Sequence, residues 1–434
     1  MRTVGALALF RWQFGWALSL AALVLSAGRG WAGSGVPRAI DDFQSAFFDD
    51  ATFTLHARSY LFDEVQSDSS SDPAAWALGG WMGYQTAWIG NVLQFGAVAY
   101  TTQPLWAPAG RPGSQLLLPG QQGFSVLGQA YAALRLDAQT LTLYRQIVDQ
   151  PEVNEHDTRM VPNTFEGGTL AGGFGPLSYF GGVLTAMKTR DADTFVNMAD
   201  VAGVSRNEDM VLGSLELAPA DGVKLRSSAY AVPNVLASNY NDVTWRLPIT
   251  PAASLDVSGQ YMLQGGIGDQ LLTGAGFRPW IAGLKGDLGI RSLTLTAGYT
   301  VNGTDDTWQS PYGVWPGFTH MMIKNFYRAG EHAVLLGAGL DGNGFGLPGL
   351  QLTAGAALDT AIGDGQTKWN EYDVTALYRP AAADLPWQWL SPLQLEGRYG
   401  HLDEIHSDGS HGHVDELRIV LDYQLQFTGG QFRE

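Results

Sequence analysis

The sequence predicts an all-β protein, a transmembrane up-and-down antiparallel β-barrel of about 18 strands with one loop folded into its lumen. Three observations carry that expectation. Apolar and polar residues alternate with period two in segment after segment. The joins between those segments alternate between tight turns and long loops. Beyond Leu25 no apolar run approaches the ~20 residues that a membrane helix needs, so any span has to be made of strands.

The chain starts with Arg2, Arg11 and an apolar run over residues 16–25, followed by small residues ending in Gly30, Trp31 and Ala32. Charged, then apolar, then small is the order of an export signal, and the run is short for a spanning helix. Residues 1–32 therefore read as a signal peptide, cleaved after Ala32, and 33–434 as one barrel domain. Losing Arg2, Arg11 and Arg29, with no acid among them, takes the formal charge from −17 to −20. A strongly acidic exported protein is a poor nucleic-acid ligand. Cysteine is absent, so there are no disulfides and no thiolate chemistry, and stability must come from burial or closed strand pairing. Residues 33–50 read as a periplasmic lead-in.

The last strand shows the period most clearly. In residues 416–427, Leu417, Ile419, Leu421, Tyr423, Leu425 and Phe427 share one face; Arg418, Val420, Asp422, Gln424 and Gln426 share the other. Residues 255–264 and 292–301 repeat the pattern. Such segments are expected at 51–62, 74–88, 90–101, 125–136, 138–148, 163–172, 176–188, 209–218, 221–233, 235–249, 252–265, 276–288, 290–302, 331–341, 348–360, 368–379, 390–404 and 413–427. Joins such as 136–138, 219–221 and 288–290 are tight, whereas 66–73, 189–208, 302–330 and 404–413 are long. An open sheet in lipid would leave edge N–H and C=O groups unpaired, at several kcal/mol each, so the sheet should close on itself. Trp76, Trp88, Tyr100, Trp245, Trp280, Trp389 and Tyr399, near segment ends, are the expected interfacial aromatics.

One stretch breaks the alternation. Residues 149–168 hold five acids (Asp149, Glu152, Glu155, Asp157, Glu166), with His156, Arg159, Pro151 and Pro162. A long irregular polar insertion in a compact fold is usually functional or disordered. Here it reads as a constriction loop that sets the width and charge of a pore.

Three blocks, LHARSYLF (55–62), DTRMVPNTFEG (157–167) and residues 310–333 followed by GFGLPGL (344–350), together resemble the OprD family of outer-membrane porins, substrate-specific channels of 18 strands. LHARSYLF (55–62) looks like that family's first strand, an arginine followed by an aromatic run. DTRMVPNTFEG (157–167) is similar to its Arg-x-x-Pro-x-x-Phe-x-Gly signature, matched by Arg159, Pro162, Phe165 and Gly167, with Asp157 just ahead. Residues 310–333, then GFGLPGL (344–350), resemble its large late loop and a Gly-x-Pro-Gly-Leu strand start. The resemblance implies passive uptake of small solutes, commonly carboxylates, past a lumenal ladder of basic residues. It also implies a bacterial outer-membrane address, contact with its lipids and lipopolysaccharide, and a monomer or weak trimer.

Parity shows where such a ladder could stand. With Phe53, Leu55, Ala57 and Leu61 toward lipid, His56 and Arg58 face the lumen. The same count turns Arg135, Lys224, Arg226, Arg246, Lys285, Arg379 and Arg398 inward. A charge on the lipid face near the midplane costs about 2–4 kcal/mol, which reinforces the assignment. Arg145 shares a face with Leu141 and Leu143 and is expected at the membrane edge or beside a bulge. The substrate-binding set is thus Arg58, Arg135, Arg159, Lys224, Arg226, Arg246, Arg379 and Arg398, whose guanidinium forks can grip and release carboxylates. Alternatively these bases pair with Asp256, Asp287, Glu371, Asp373 and Glu396 and fill a polar interior. Glu152, Glu155, Asp157 and Glu166 could form an opposing wall that selects zwitterions over plain anions.

Other readings are a channel for aromatic or apolar compounds, or a barrel enzyme or adhesin. No Gly-x-Ser-x-Gly elbow and no His-Glu-x-x-His is present, so no enzyme and no cofactor are expected. His401, His406, His411 and His413 sit beside acids at a hairpin tip, but a loop without preorganisation is a poor metal site, and none is expected.

Overall fold

The computed structural model describes residues 42–67, 72–380 and 390–432. The signal peptide and Trp389 lie outside the described residues. The strands are β1 (Thr52–Gln66), β2 (Ala74–Gln85), β3 (Leu93–Trp106), β4 (Phe124–Leu136), β5 (Gln139–Gln146), β6 (Thr164–Phe174), β7 (Leu177–Lys188), β8 (Val196–Asn197), β9 (Met210–Ala220), β10 (Val223–Val232), β11 (Leu236–Thr250), β12 (Ala253–Gly265), β13 (Trp280–Ile290), β14 (Leu293–Asn302), β15 (His332–Asp341), β16 (Leu350–Ala361), β17 (Lys368–Tyr378), β18 (Leu393–Ile405) and β19 (His411–Thr428). The two-residue β8 only caps the end of β7, which continues its pairing with β9. The other eighteen form a closed antiparallel barrel. Closure runs through β1, which pairs with β2 on one side and with β19 on the other, from Thr52 opposite Thr428 to Gln66 opposite Val414.

The burial pattern of β19 is inside out. Leu417, Ile419 and Leu421 are 38–40% exposed, while Glu416, Arg418 and Asp422 are at most 8% exposed. A water-soluble sheet would do the reverse. The apolar outer face belongs against hydrocarbon, and the polar inner face is covered by inward-folding loops.

At one end five joins are two-residue turns, at 137–138, 175–176, 221–222, 251–252 and 291–292, while 86–92 and 342–349 are longer. At the other end lie longer connections, with one exception: residues 233–235 alone link β10 to β11. Each expected segment corresponds to one of the long strands, with shifted ends. The segment expected at 276–288 occupies Trp280–Ile290 instead, because Pro279 has no N–H to offer the sheet. The lead-in is helical over 42–49 and packs at the β2–β3 turn, where the Tyr84 hydroxyl donates to Phe47 O at 2.7 Å.

Trp76, Trp245, Trp280 and Tyr399 are 37–52% exposed, as interfacial aromatics should be. Tyr100 is different: only 2% exposed, it points inward on the parity of Gly96 and Val98. Its ring fits because Gly128 stands opposite, where a Cβ would come within 2.1 Å of it. Trp88 lies under the Arg135 guanidinium, 4.1 Å from the ring centroid. Arg145 pairs with Glu166 at 2.8 Å and lies over Phe195, next to Tyr144, whose φ of 81° marks the irregularity expected there.

Candidate functional site

The connection between β5 and β6, residues 147–163, crosses the lumen. It is shorter than the stretch read from sequence. Phe165, Glu166 and Gly167 belong to β6, with Phe165 paired to Gln146 and Met187, so these motif residues are wall rather than loop. At its start the loop packs Val148 and Val153 against Tyr230, Val232 and Leu236 of β10 and β11. Farther on, Met160 and Val161 pack against Tyr60, Phe62 and Tyr100 of β1 and β3. In the order of the ring, β10 and β11 stand half-way round from β1. Val153, Met160 and Val161 are at most 2% exposed. Burying each stabilises by about 1.5–3 kcal/mol, which offsets the entropy of ordering the loop.

Polar groups then fix its position. Arg58 Nη1 donates to Asp157 Oδ1 and to Arg159 O, both at 2.6 Å, while its Nε donates to Asp422 Oδ1 at 2.7 Å. His56 Nε2 meets the same Asp422 oxygen at 2.6 Å. Lys188 Nζ donates to the carbonyl of Pro162 at 3.0 Å. Arg159 donates from Nε to Ser114 O and from Nη1 to Thr158 O, both at 2.9 Å, and lies 5.0 Å from the Phe62 ring centroid. At 7% exposure it binds two backbones together rather than facing the pore. Glu152 is turned away too: both its oxygens accept from Ser238 Oγ, at 2.8 and 2.9 Å. Burial pushes its carboxyl up to about 8.

The acids that do face open space are Asp149, Glu155 and Asp157. With Glu216, Arg226, Tyr179 and Phe180 they line a cavity of about 580 Å³. Of the four acids read from sequence as an opposing wall, Glu155 and Asp157 line it; Glu152 is buried and Glu166 pairs with Arg145. Burial first, then Asp157 and Asp149, raise the Glu155 carboxyl above its ordinary value. Arg190 donates from Nη1 to His156 Nε2 at 2.9 Å. Burial and the positive charges of Arg190 and Arg159 push His156 down to about 3, so the ring is neutral. Arg190 sits in a loop, where strand parity has no reach, and composition gave no signal for it.

The basic residues read by parity stand at several heights with distinct partners. Arg226 pairs with Asp242 at 2.6 Å and Arg246 with Asp256 at 2.6 Å. Lys224 reaches Glu216 at 3.5 Å, Lys285 reaches Asp287 at 3.0 Å and Arg398 reaches Glu396 at 3.7 Å. Arg379 donates to Gln394 Oε1 at 2.6 Å, and Arg135 sits at the turn end of β4 against Asn91. The structure thus gathers Arg58, Asp157 and Arg159 at the loop, and spreads Arg135, Lys224, Arg226, Arg246 and Arg379 toward the short-turn end. Glu371 and Asp373 hold backbone N–H groups instead of bases. Arg418, on the polar face of the last strand by the same parity, donates to Met322 O at 2.7 Å. His401 and His413 lie in the β18–β19 pairing rather than in a loose tip, with His401 Nδ1 2.8 Å from Asp415. Among the described residues no three His, Asp or Glu side chains are placed to hold a metal.

A family model described as outer membrane porin, OprD family, matches residues 45–427. A search of curated proteins returned no match. Among the solved structures that share the fold are the following three. OccK9 (OpdG) of Pseudomonas aeruginosa superposes with a TM-score of 0.78 at 22% identity, covering 88% of this chain and 100% of that one. OccAB3 of Acinetobacter baumannii gives 0.77 at 14% identity, covering 87% of this chain and 100% of its own. OpdK of Pseudomonas aeruginosa, solved with vanillate, gives 0.73 at 19% identity, with coverages of 88% and 100%.

Proposed function

The chain belongs to the OprD family of outer-membrane porins, and from that premise we propose that it passes small zwitterionic solutes, amino acids and related carboxylates, in preference to plain anions. It is a channel and not an enzyme, seated in the bacterial outer membrane with its outer wall against lipid. Because the pathway runs inside one closed sheet, a single copy is enough to conduct.

The observation that carries the proposal is the lining of the cavity beside the crossing loop. Asp149, Glu155, Asp157 and Glu216 line it together with Arg226, and Arg58 pairs with Asp157 behind the lining. An ammonium group settles against the acids while a carboxylate on the same molecule takes the guanidinium fork. A plain anion meets the same arginine but also the acids, and is repelled by them. The wall pairs do not prevent this exchange. Exposed ion pairs are worth only about 0–1 kcal/mol, and the Arg246 side chain, for instance, is 67% exposed. A passing solute can replace one partner and be released again, which is what conduction needs. On this reading Lys224, Arg226, Arg246, Arg379 and Arg398 hand the carboxylate on, Arg135 acts at the rim, and the buried Arg58 and Arg159 act by holding the loop. OpdK, which shares the fold, has been solved with vanillate, a carboxylate on an aromatic ring, so the carboxylate part of the reading extends to ring-bearing acids.

The test is interruption of single-channel current in planar bilayers by matched solutes. Amino acids are expected to block at lower concentration than the corresponding acids without the amine. Equal block by both, or block by the plain acid alone, would remove the zwitterion preference.

A further inference from the structure

Three consecutive backbone N–H groups of the 303–331 loop end on two wall carboxylates. Met322 N donates to Asp373 Oδ2 at 2.8 Å, Ile323 N to Glu371 Oε1 at 2.6 Å, and Lys324 N to Glu371 Oε2 at 2.8 Å. Glu371 and Asp373 share the inner face of β17, so both carboxyls point into the barrel. Arg418, from β19, donates to the carbonyl of the same Met322 at 2.7 Å. Glu371 is 0% exposed, and ordinary lumenal acids elsewhere in this barrel pair with arginine or lysine instead. Both oxygens of Glu371, and Oδ2 of Asp373, are held by main chain.

Farther back, the same loop grips the crossing loop. Val314 N donates to Asn154 Oδ1 at 2.8 Å, Asn154 Nδ2 donates to Val314 O at 3.2 Å, and Asn154 N donates to Tyr312 O at 3.2 Å. Between them is Gly313, where a Cβ would lie 2.6 Å from Asn154 Oδ1. Only a residue without a side chain lets the two loops approach this closely. The connections form one path: β17 to residues 322–324, along that loop to 312–314, and through Asn154 to the loop that crosses the lumen.

We propose that Glu371 and Asp373 are positioning residues, which with Arg418 hold the 303–331 loop on the wall and, through Gly313 and Asn154, fix the crossing loop where it sets the pore's cross-section. The proposal rests on the reading of residues 147–163 as the constriction. It assigns the acid pair a mechanical role rather than contact with solute.

The experiment is single-channel recording of folded variants, with folding checked by heat-modifiable mobility on gels. The double variant Glu371→Ala, Asp373→Ala is expected to change open conductance by roughly 1.5-fold or more and to add frequent partial closures. Glu371→Gln keeps one acceptor oxygen and is expected to fall between the double variant and the parent. Gly313→Ala leaves both acids intact, forces Asn154 aside, and is expected to show the same partial closures. Asp269→Asn, at an exposed loop acid paired with Arg206, is expected to match the parent. Parental conductance and kinetics in the double variant and in Gly313→Ala overturn the proposal. If the double variant does not fold, Gly313→Ala and Glu371→Gln decide it on the same terms. Solute block of the parent is recorded alongside. Its absence would remove the solute pathway proposed above, whereas unchanged gating with intact block would remove only the positioning role.

Discussion

Asp157 Oδ1 lies 2.6 Å from Arg58 Nη1, a loop carboxylate on a strand guanidinium across 99 residues of chain. On its other side the same guanidinium meets Asp422 at 2.7 Å. One side chain therefore joins β1, β19 and the crossing loop.

Replacing Asp157 by Asn keeps the shape and removes the charge. The Asp157 side chain is 26% exposed, so part of the attraction is screened by water. We expect the loop's docking to weaken by about 1–2 kcal/mol, with a noisier open channel. Hydrogen exchange of the loop amides reads the first and current noise the second; unchanged values in both would show that the tie is idle.

At Arg159, alanine is expected to alter conductance or ion selectivity, and lysine is expected not to restore it. The arginine spans the carbonyls of Ser114 and Thr158 while lying on Phe62. A single ammonium cannot reproduce that flat, forked contact. Parental currents in the alanine variant would separate this residue from the constriction.

Glu152 makes the crossing loop sensitive to pH between 4.5 and about 8. Its ordinary value is 4.5 and burial raises it to about 8 in the docked loop. A raised acid favours docking fully below 4.5, less as pH climbs and the undocked carboxyl ionises first, and no longer above about 8. Partial closures should therefore become more frequent as pH rises to about 8, and level off beyond it. Glu152→Gln should flatten that pH profile; an unchanged profile would place the sensitivity elsewhere.

Asp242 holds Arg226 at 2.6 Å beside the acid-lined cavity. Asp242→Asn frees the guanidinium for solute, and simple carboxylates are expected to block at roughly threefold lower concentration, the yield of one modest ion pair. Arg246→Ala, at an exposed pair away from the loop, is expected to shift block less. Dose–response curves of current interruption in both variants check the order.

Much of this architecture was legible because its physics is local. Leu417, Ile419 and Leu421 against Arg418, Val420 and Asp422 needs only the pleat of a strand, and the alternation of turns and loops follows from closing a sheet across a bilayer. The loop was visible as a break in that period. Its extent was not, because Phe165 and Gly167 read equally well as motif or as strand, and only their register with Gln146 and Tyr144 decides. Parity turned the bases inward but could not say what each one meets. Asp242, Asp256 and Asp422 neutralise Arg226, Arg246 and Arg58 from neighbouring strands, and that depends on stagger between strands. Tyr100 stands near a strand end, as interfacial rings do, but its parity with Gly96 and Val98 turns it inward. Arg190 and Glu152 were beyond reach for a shared reason: both lie in irregular segments, where direction is set by tertiary packing alone.

The pairing of Thr52 with Thr428 has a consequence for biogenesis. The first-made stretch of wall must wait for the last-made one, so during assembly β1 stays unzipped along one flank until the final hairpin arrives. A chain cut short after β18 is then not a narrower tube but an unsealed, sticky ribbon, and quality control has a single late event to inspect: whether the two ends of the polypeptide have met.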